Sequence, residues 1–421
     1  MDGDGIVMTR LKKFIVLLLF VAHFAYAAQE ASVLVGVDVF FKEKKYEAYR
    51  DKRVGLITNQ TGINREMLST VDLFLDKKHG LKLAALFSPE HGMSGHAYAW
   101  ESVADQKGPG GIPVYSLHGK TRRPTAQMLK NIDVLIYDIQ DIGCRSYTYS
   151  TTLFYAMEEA ARLGIAFVVL DRPNPINGLY VEGPMLKEKW RSFIGYIDVP
   201  YCHGLTIGEL ARYFNAEYKI GCELTVIPMR GWQRWMRYAD TGLPWIPTSP
   251  NIPEAQTPLY YASTGMIGEL SIVSIGIGSA LPFKVLGAPW IKGKEFCDLL
   301  NEQCLPGVTF FPYYFRPFHG LFKANDCQGA LLVITDHTTY RPLATQYMLL
   351  GVLSLLYPKE MQEKLQAMAP HKKELFCKAN GNEEIFTLLC KEKYVAWKCI
   401  AFQKQEREQF RKVRQKYLIY P

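Results

Sequence analysis

The stretch LFSPEHGMSGH, Leu86 to His96, sets Glu90 and His91 side by side directly after an apolar run, KLAAL, that reads as a buried strand. A carboxyl and an imidazole are the side chains that most often move protons in active sites, yet a proline before them and a glycine after them also make an ordinary turn. The neighbouring turns set this pair apart. The run RVGLIT ends in Asn59, Gln60, Thr61 and Gly62; DVLIY ends in Asp138, Gln140, Asp141 and Arg145; AFVVL ends in Asp171, Arg172, Asn174 and Asn177. Four consecutive strand ends therefore carry acids, amides or arginines, more than turn formation requires.

The elements that must position these groups follow one another in a regular order. From Val33, the apolar, β-branched runs VLVGVDVF, RVGLITNQ, KLAALFSP, DVLIYDIQD and AFVVLDRP read as strands, with MLSTVDLFLDKKHG and STTLFYAMEEAARLG as helices between some of them. This order predicts an α/β fold with a doubly wound, mostly parallel sheet covered on both faces, binding its ligand at the strands' carboxyl ends. No Gly-rich phosphate loop follows the first run, and the lone Gly276-Ile277-Gly278 leads to Pro282 rather than to a helix start, so no nucleotide cofactor is expected. GxSxG and GxxxxGK[ST] motifs are both missing. The nine cysteines fall in no metal-ligand spacing, so no metal is expected either.

Length and ends add constraints. A chain of 421 residues with 48% hydrophobic and 21% charged residues is an ordinary globular sequence long enough for two domains. Arg10, Lys12 and Lys13 precede the apolar run FIVLLLFVAHFAYA, and Ala25-Tyr26-Ala27 has the small-residue pattern of a cleavage site, so residues 1–27 read as a secretory signal. The net charge is +8, and the last twenty-one residues carry six Lys or Arg against two Glu, a segment that would suit contact with an anionic surface. Export argues against a nucleic-acid partner, and it permits disulfides, although nine cysteines cannot all pair.

The blocks FSPEHG, DVLIYDIQDIGCRSYTY, VLDRPNPINGLYVEGP, CHGLTIGELARYFN, TGLPWIPTSPNIP and LPFKVLGAPW, in this order, resemble the bacterial DUF1343 family, the NamZ-type exo-β-N-acetylmuramidases. The resemblance runs from about residue 35 to 290. It implies a Rossmann-like N-terminal domain, here residues 28–245, beside a smaller α+β C-terminal domain, residues 246–421, with the site in the cleft between them. The implied activity is release of N-acetylmuramic acid from the non-reducing end of peptidoglycan fragments in a bacterial periplasm or cell envelope. The glutamate of the family's PEHG motif, favoured there as catalytic, falls on Glu90.

Glycoside cleavage uses one carboxyl to protonate the leaving oxygen and a second as base or nucleophile. Glu90 is expected as the acid, with Glu269, Asp141, Asp138 and Glu182 as candidate partners. The lactyl carboxylate that separates muramic acid from glucosamine calls for a fixed donor, and Arg145 and Arg172 are the expected readers. His91, Asn59, Gln140, Asn174 and His203 are candidates for sugar hydroxyls, and Tyr147, Tyr149, Trp232 and Trp235 for a flat sugar face, with core packing the commoner role for the tryptophans. One departure stands out: where relatives read EGTN and S-x-GRG, this chain has Ile272 and Ile277 in place of the Asn and the Arg. That keeps a second reading open, a catalytically impaired muropeptide-binding envelope protein.

Overall fold

The computed structural model describes residues 33–421, so the export signal read in residues 1–27 lies outside it. A seven-stranded sheet is formed by β1 (Arg53–Thr58), β2 (Lys82–Ser88), β3 (Gln106–Lys107), β4 (Pro113–Ser116), β5 (Val134–Asp138), β6 (Ala166–Leu170) and β7 (Leu224–Ile227). Their spatial order is β3-β4-β2-β1-β5-β6-β7, parallel throughout except for the short β3 at one edge. Leu56 of β1 sits between Leu86 of β2 and Ile136 of β5. Both faces of the sheet are buried: Ile57, Phe87 and Leu135 point into one apolar cluster, and Leu56, Val54 and Ile136 into another with Phe40 and Phe74. Burial on both sides explains why these strands read as continuous apolar runs rather than alternating ones.

The first of the five expected strands is not one. VLVGVDVF supplies a helix, Gly36–Lys42, and only an isolated bridge from Leu34 to Arg230. Asp38 turns its carboxylate back to accept from the Val35 N–H at 3.1 Å, which caps the helix start. Gly36 lies so close to the sheet that a β-carbon there would come within 2.2 Å of the Asp171 backbone nitrogen. The other four runs form β1, β2, β5 and β6, and the two expected helices appear as Thr70–Leu75 and Thr148–Leu163.

A second, antiparallel sheet follows, with β8 (Val285–Ala288), β9 (Val308–Phe315) and β10 (Cys327–Ile334) in the order β8-β10-β9. Helices Thr257–Glu269 and Pro342–Leu356 pack with it, and its Leu286, Phe310 and Leu332 belong to the same apolar cluster as Phe87 and Leu135 of the first sheet. The core is therefore continuous across the two parts. Part of the basic tail acts as a structural strap. Arg407, Arg411 and Arg414 donate to the carbonyls of Gly183, Val181 and Gly204, and Tyr420 donates to Asp171 at 2.6 Å. Those three guanidiniums are thereby turned toward protein carbonyls, while Lys404, Lys412 and Lys416 of the same segment stay exposed. All nine cysteines are free thiols in the structure.

Candidate active site

The end of β2 leads into a tight turn in which His91 and Gly92 both take left-handed conformations, φ 70° and 77°. His91 Nδ1 lies 2.6 Å from the Ala97 carbonyl and pins the turn. Glu90 at its apex is buried, and both of its oxygens accept: Oε2 from the Thr148 hydroxyl at 2.6 Å and Oε1 from the Trp100 N–H at 3.1 Å. His118, which follows β4, brings Nε2 to 3.6 Å from Oε1. Burial holds the His118 imidazole below its ordinary value, against the opposing pull of the Glu90 charge. Thr148 opens the helix Thr148–Leu163, so Glu90 meets the positive end of a helix dipole.

The facing wall comes from the second part of the chain. Glu269 closes the helix Thr257–Glu269 and therefore sits at a negative helix end. Burial raises its carboxyl above the usual range, tempered by Lys372, and no hydrogen bond engages it among the described residues. Glu90 and Glu269 line one cavity of about 360 Å³ together with His91, Trp100, Tyr147 and Thr148. Ser249, Asn251, Tyr261, Ser274 and Ile277 also reach it. Two carboxyls in opposite electrostatic surroundings, separated by a space of sugar size, are an arrangement able to give a proton on one side and take one on the other.

The remaining expected residues lie elsewhere, for a common reason. Sheet order reverses at β1, so the crevice that should hold the ligand lies between the ends of β1 and β5. In this fold it is filled by its own polar groups. Arg172 is spent on Asp138, with Nε to Oδ1 at 2.5 Å and Nη2 to Oδ2 at 2.9 Å, and Asp138 also accepts from Thr70 Oγ1. Asn59 Oδ1 takes the Thr61 N–H and hydroxyl, and Gln140 Nε2 donates to the Asp141 and Pro173 carbonyls. Asn174 spans the Ile176 N–H and the Leu205 carbonyl. Asp141 accepts from the Gly143 N–H at 2.7 Å while burial pushes its carboxyl up to about 7, outside the large cavity.

Arg145 is buried, with its Nη atoms on the Pro184, Val199, Ala379 and Asn380 carbonyls, so it ties the two parts of the chain together and faces no ligand. Glu182 pairs with Arg341 and the Leu343 N–H. His203 accepts from the Leu205 N–H, and burial drives its ring down to about 3. Tyr149 reaches the Thr248 carbonyl, Trp232 packs on Tyr420, and Trp235 stands exposed away from the cavity. Trp100, Thr148 and His118 were missed by sequence reasoning. A signal existed for His118: PVYSLHG repeats the strand, polar turn and glycine form of KLAALFSPEHG.

The fold and the carboxyl pair together define a two-part α/β protein with a glycoside hydrolase type of site at the junction of its parts. Its relatives make the class specific. Residues 54–256 match the family model described as exo-β-N-acetylmuramidase NamZ, N-terminal, and residues 259–420 match its C-terminal counterpart. The chain is 41% identical over 396 residues to the peptidoglycan β-N-acetylmuramidase NamZ of Bacillus subtilis (strain 168), covering 93% of this chain and 92% of that one. Two crystal structures of DUF1343 family proteins from Bacteroides fragilis NCTC 9343 superpose with TM-scores of 0.85 and 0.71 at 38% and 27% identity. Each covers 92% of this chain and 99% of its own. The chain belongs to the NamZ family of exo-β-N-acetylmuramidases, which are glycoside hydrolases.

Proposed function

We propose that this protein is an exported exo-acting hydrolase that releases N-acetylmuramic acid from the non-reducing end of peptidoglycan fragments in the periplasm or cell envelope of a bacterium. The observation that carries the reading is the pair Glu90 and Glu269 facing one sugar-sized cavity. The two divide the general acid and base work. Glu269, raised by burial at a negative helix end, gives the proton to the leaving oxygen. Glu90, whose two oxygens already accept from Thr148 and Trp100, takes the proton of the attacking group. This reverses the roles expected from sequence, because the surroundings of Glu90 supply donors to a carboxylate. Trp100 and Tyr147 offer flat apolar surface to the sugar.

The place of Ile277 in the cavity wall, where the family resemblance implies an arginine, favours keeping the second reading: a muropeptide-binding envelope protein with the same cleft and little turnover. Incubating the purified protein with a chromogenic β-glycoside of N-acetylmuramic acid separates the two. Chromophore release supports the hydrolase; no release at high protein concentration, with muropeptide binding intact, supports the binding protein.

A further inference from the structure

The cavity that holds Glu90 and Glu269 has no Lys or Arg in its lining among the described residues, and both arginines expected to read the lactyl group are consumed elsewhere. A muramic acid bound there would still carry a carboxylate, which on C3 projects across the ring and away from the anomeric carbon. A second cavity, about 280 Å³, adjoins the first and shares Trp100 and Ile194 with it. Its lining carries two cations, Arg122 and Lys378, together with His371 and Ser192. The carboxylate it contains, Glu374, is paired with Lys378 at 2.6 Å.

Arg122 is exposed and makes no hydrogen bond or ion pair among the described residues. Its guanidinium carbon stacks 4.2 Å from the Phe193 ring centroid; the Phe193 ring lies 5.6 Å from that of His118, and His118 Nε2 lies 3.6 Å from Glu90 Oε1. A short series of contacts thus leads from the reacting carboxyl through His118 and the tilted Phe193 ring to an arginine that stacks on Phe193 and has no hydrogen-bonding partner among the described residues. Stacking fixes the guanidinium plane and leaves its edge N–H groups free, the geometry suited to bidentate capture of a carboxylate.

We propose that Arg122, in the cavity adjoining the candidate active site, binds the lactyl carboxylate of the muramic residue and sets the preference for muramic acid over glucosamine. The assignment rests on the muramidase reading of the main cavity. It also fits Ile277: with no arginine on that wall, the charge is supplied from the other side of Trp100.

The test measures binding by calorimetry, so that it does not depend on turnover. Ligands are N-acetylmuramic acid, its lactyl methyl ester, N-acetylglucosamine, and muramyl-L-alanyl-D-isoglutamine, in which the lactyl carboxyl is an amide and a carboxylate lies further out. Wild type should bind the free acid roughly ten- to a hundredfold more tightly than the ester and than N-acetylglucosamine, the range for one charge-assisted contact. Arg122→Met should close that gap, Arg122→Lys should keep part of it, and Lys372→Met, which removes the cation beside Glu269, should leave it open. Because Arg122 is exposed and unpaired, the melting temperature of Arg122→Met should match wild type. A gap that survives in Arg122→Met overturns the proposal. A loss confined to the stem-bearing ligand also overturns it, since the stem's carboxylate is then the group recognised. If wild type makes no distinction between muramic acid and glucosamine, the muramidase reading itself fails. Discrimination that depends on Arg122 without any turnover upholds the proposal and favours the impaired binding protein.

Discussion

Replacing Asp141 with asparagine should stabilise the protein at neutral pH while sparing catalysis. Asp141 is buried and leaves Oδ2 without a hydrogen-bond partner, so ionising it places a charge that the backbone N–H groups of Gly143, Ile142 and Ser150 offset only in part. Burial pushes its carboxyl from the ordinary 3.8 up to about 7. A folded-state value above the unfolded one means that the folded chain binds the proton more tightly. The contribution is therefore full below about pH 4 and is lost as pH rises through about 7. At about 1.4 kcal/mol per pH unit the loss has a ceiling of about 4 kcal/mol at pH 8. The substituted side chain would carry no such charge and place its amide at the same lone position, so the comparison isolates ionisation. Thermal melts of both proteins at about pH 4.5 and about pH 8 are the assay, with the variant ahead by a few degrees at the higher pH and level with or behind wild type at the lower. Parallel loss of stability by both proteins across that window would refute the claim that Asp141 holds its proton. A hundredfold fall in turnover by a folded Asp141→Asn would return Asp141 to the chemistry.

Two other variants probe different parts of the structure. Arg145→Met removes a buried guanidinium bonded to four carbonyls, two of them at the end of the Pro370–Asn380 helix, and should cost ~3–5 kcal/mol in denaturant unfolding; unchanged stability with lost lactyl selectivity would contradict that role. Glu269→Gln should lower turnover by roughly 10² to 10⁴ and remove the alkaline limb of the kcat/KM profile, because burial raises the Glu269 carboxyl above its ordinary range. Retention of that limb in the variant would assign the acid to another group.

Much of the sheet was legible because buried parallel strands leave a simple trace. RVGLIT, KLAALF, DVLIY and AFVVL are short β-branched or apolar runs, and each forms the strand expected of it. VLVGVDVF has the same composition and forms a helix. A segment buried on nearly every side shows neither helical nor strand periodicity, and only the return of Asp38 to cap Val35 marks its start. β4 and β7, four residues each, were too short to notice, one opening on Pro113 and the other half exposed at the sheet edge. At the site, Glu90, His91, Tyr147 and Glu269 share the cavity. The other strand-end groups looked equally functional in sequence because a polar network that satisfies itself uses the same residue types as one that awaits a ligand. Pairings such as Arg172 with Asp138, made across 34 positions, cannot be read from either strand alone. Arg122 carried no signal at all, since what distinguishes it is the absence of a partner.

That the cavity at the end of β2 does chemistry through Glu90 is tested most directly by one measurement: single-turnover and steady-state hydrolysis of a chromogenic N-acetylmuramic acid β-glycoside by Glu90→Gln. The amide matches the carboxyl in shape: its oxygen can accept from the Trp100 N–H while its nitrogen donates to the Thr148 hydroxyl, but it cannot take a proton. The expected result is a folded variant with ligand binding within a few fold of wild type and turnover lower by roughly 10² to 10⁴. Turnover near the wild-type rate would contradict a catalytic Glu90, and so would a loss of activity matched by a collapse in melting temperature, which would make Glu90 a structural carboxylate at the end of its strand.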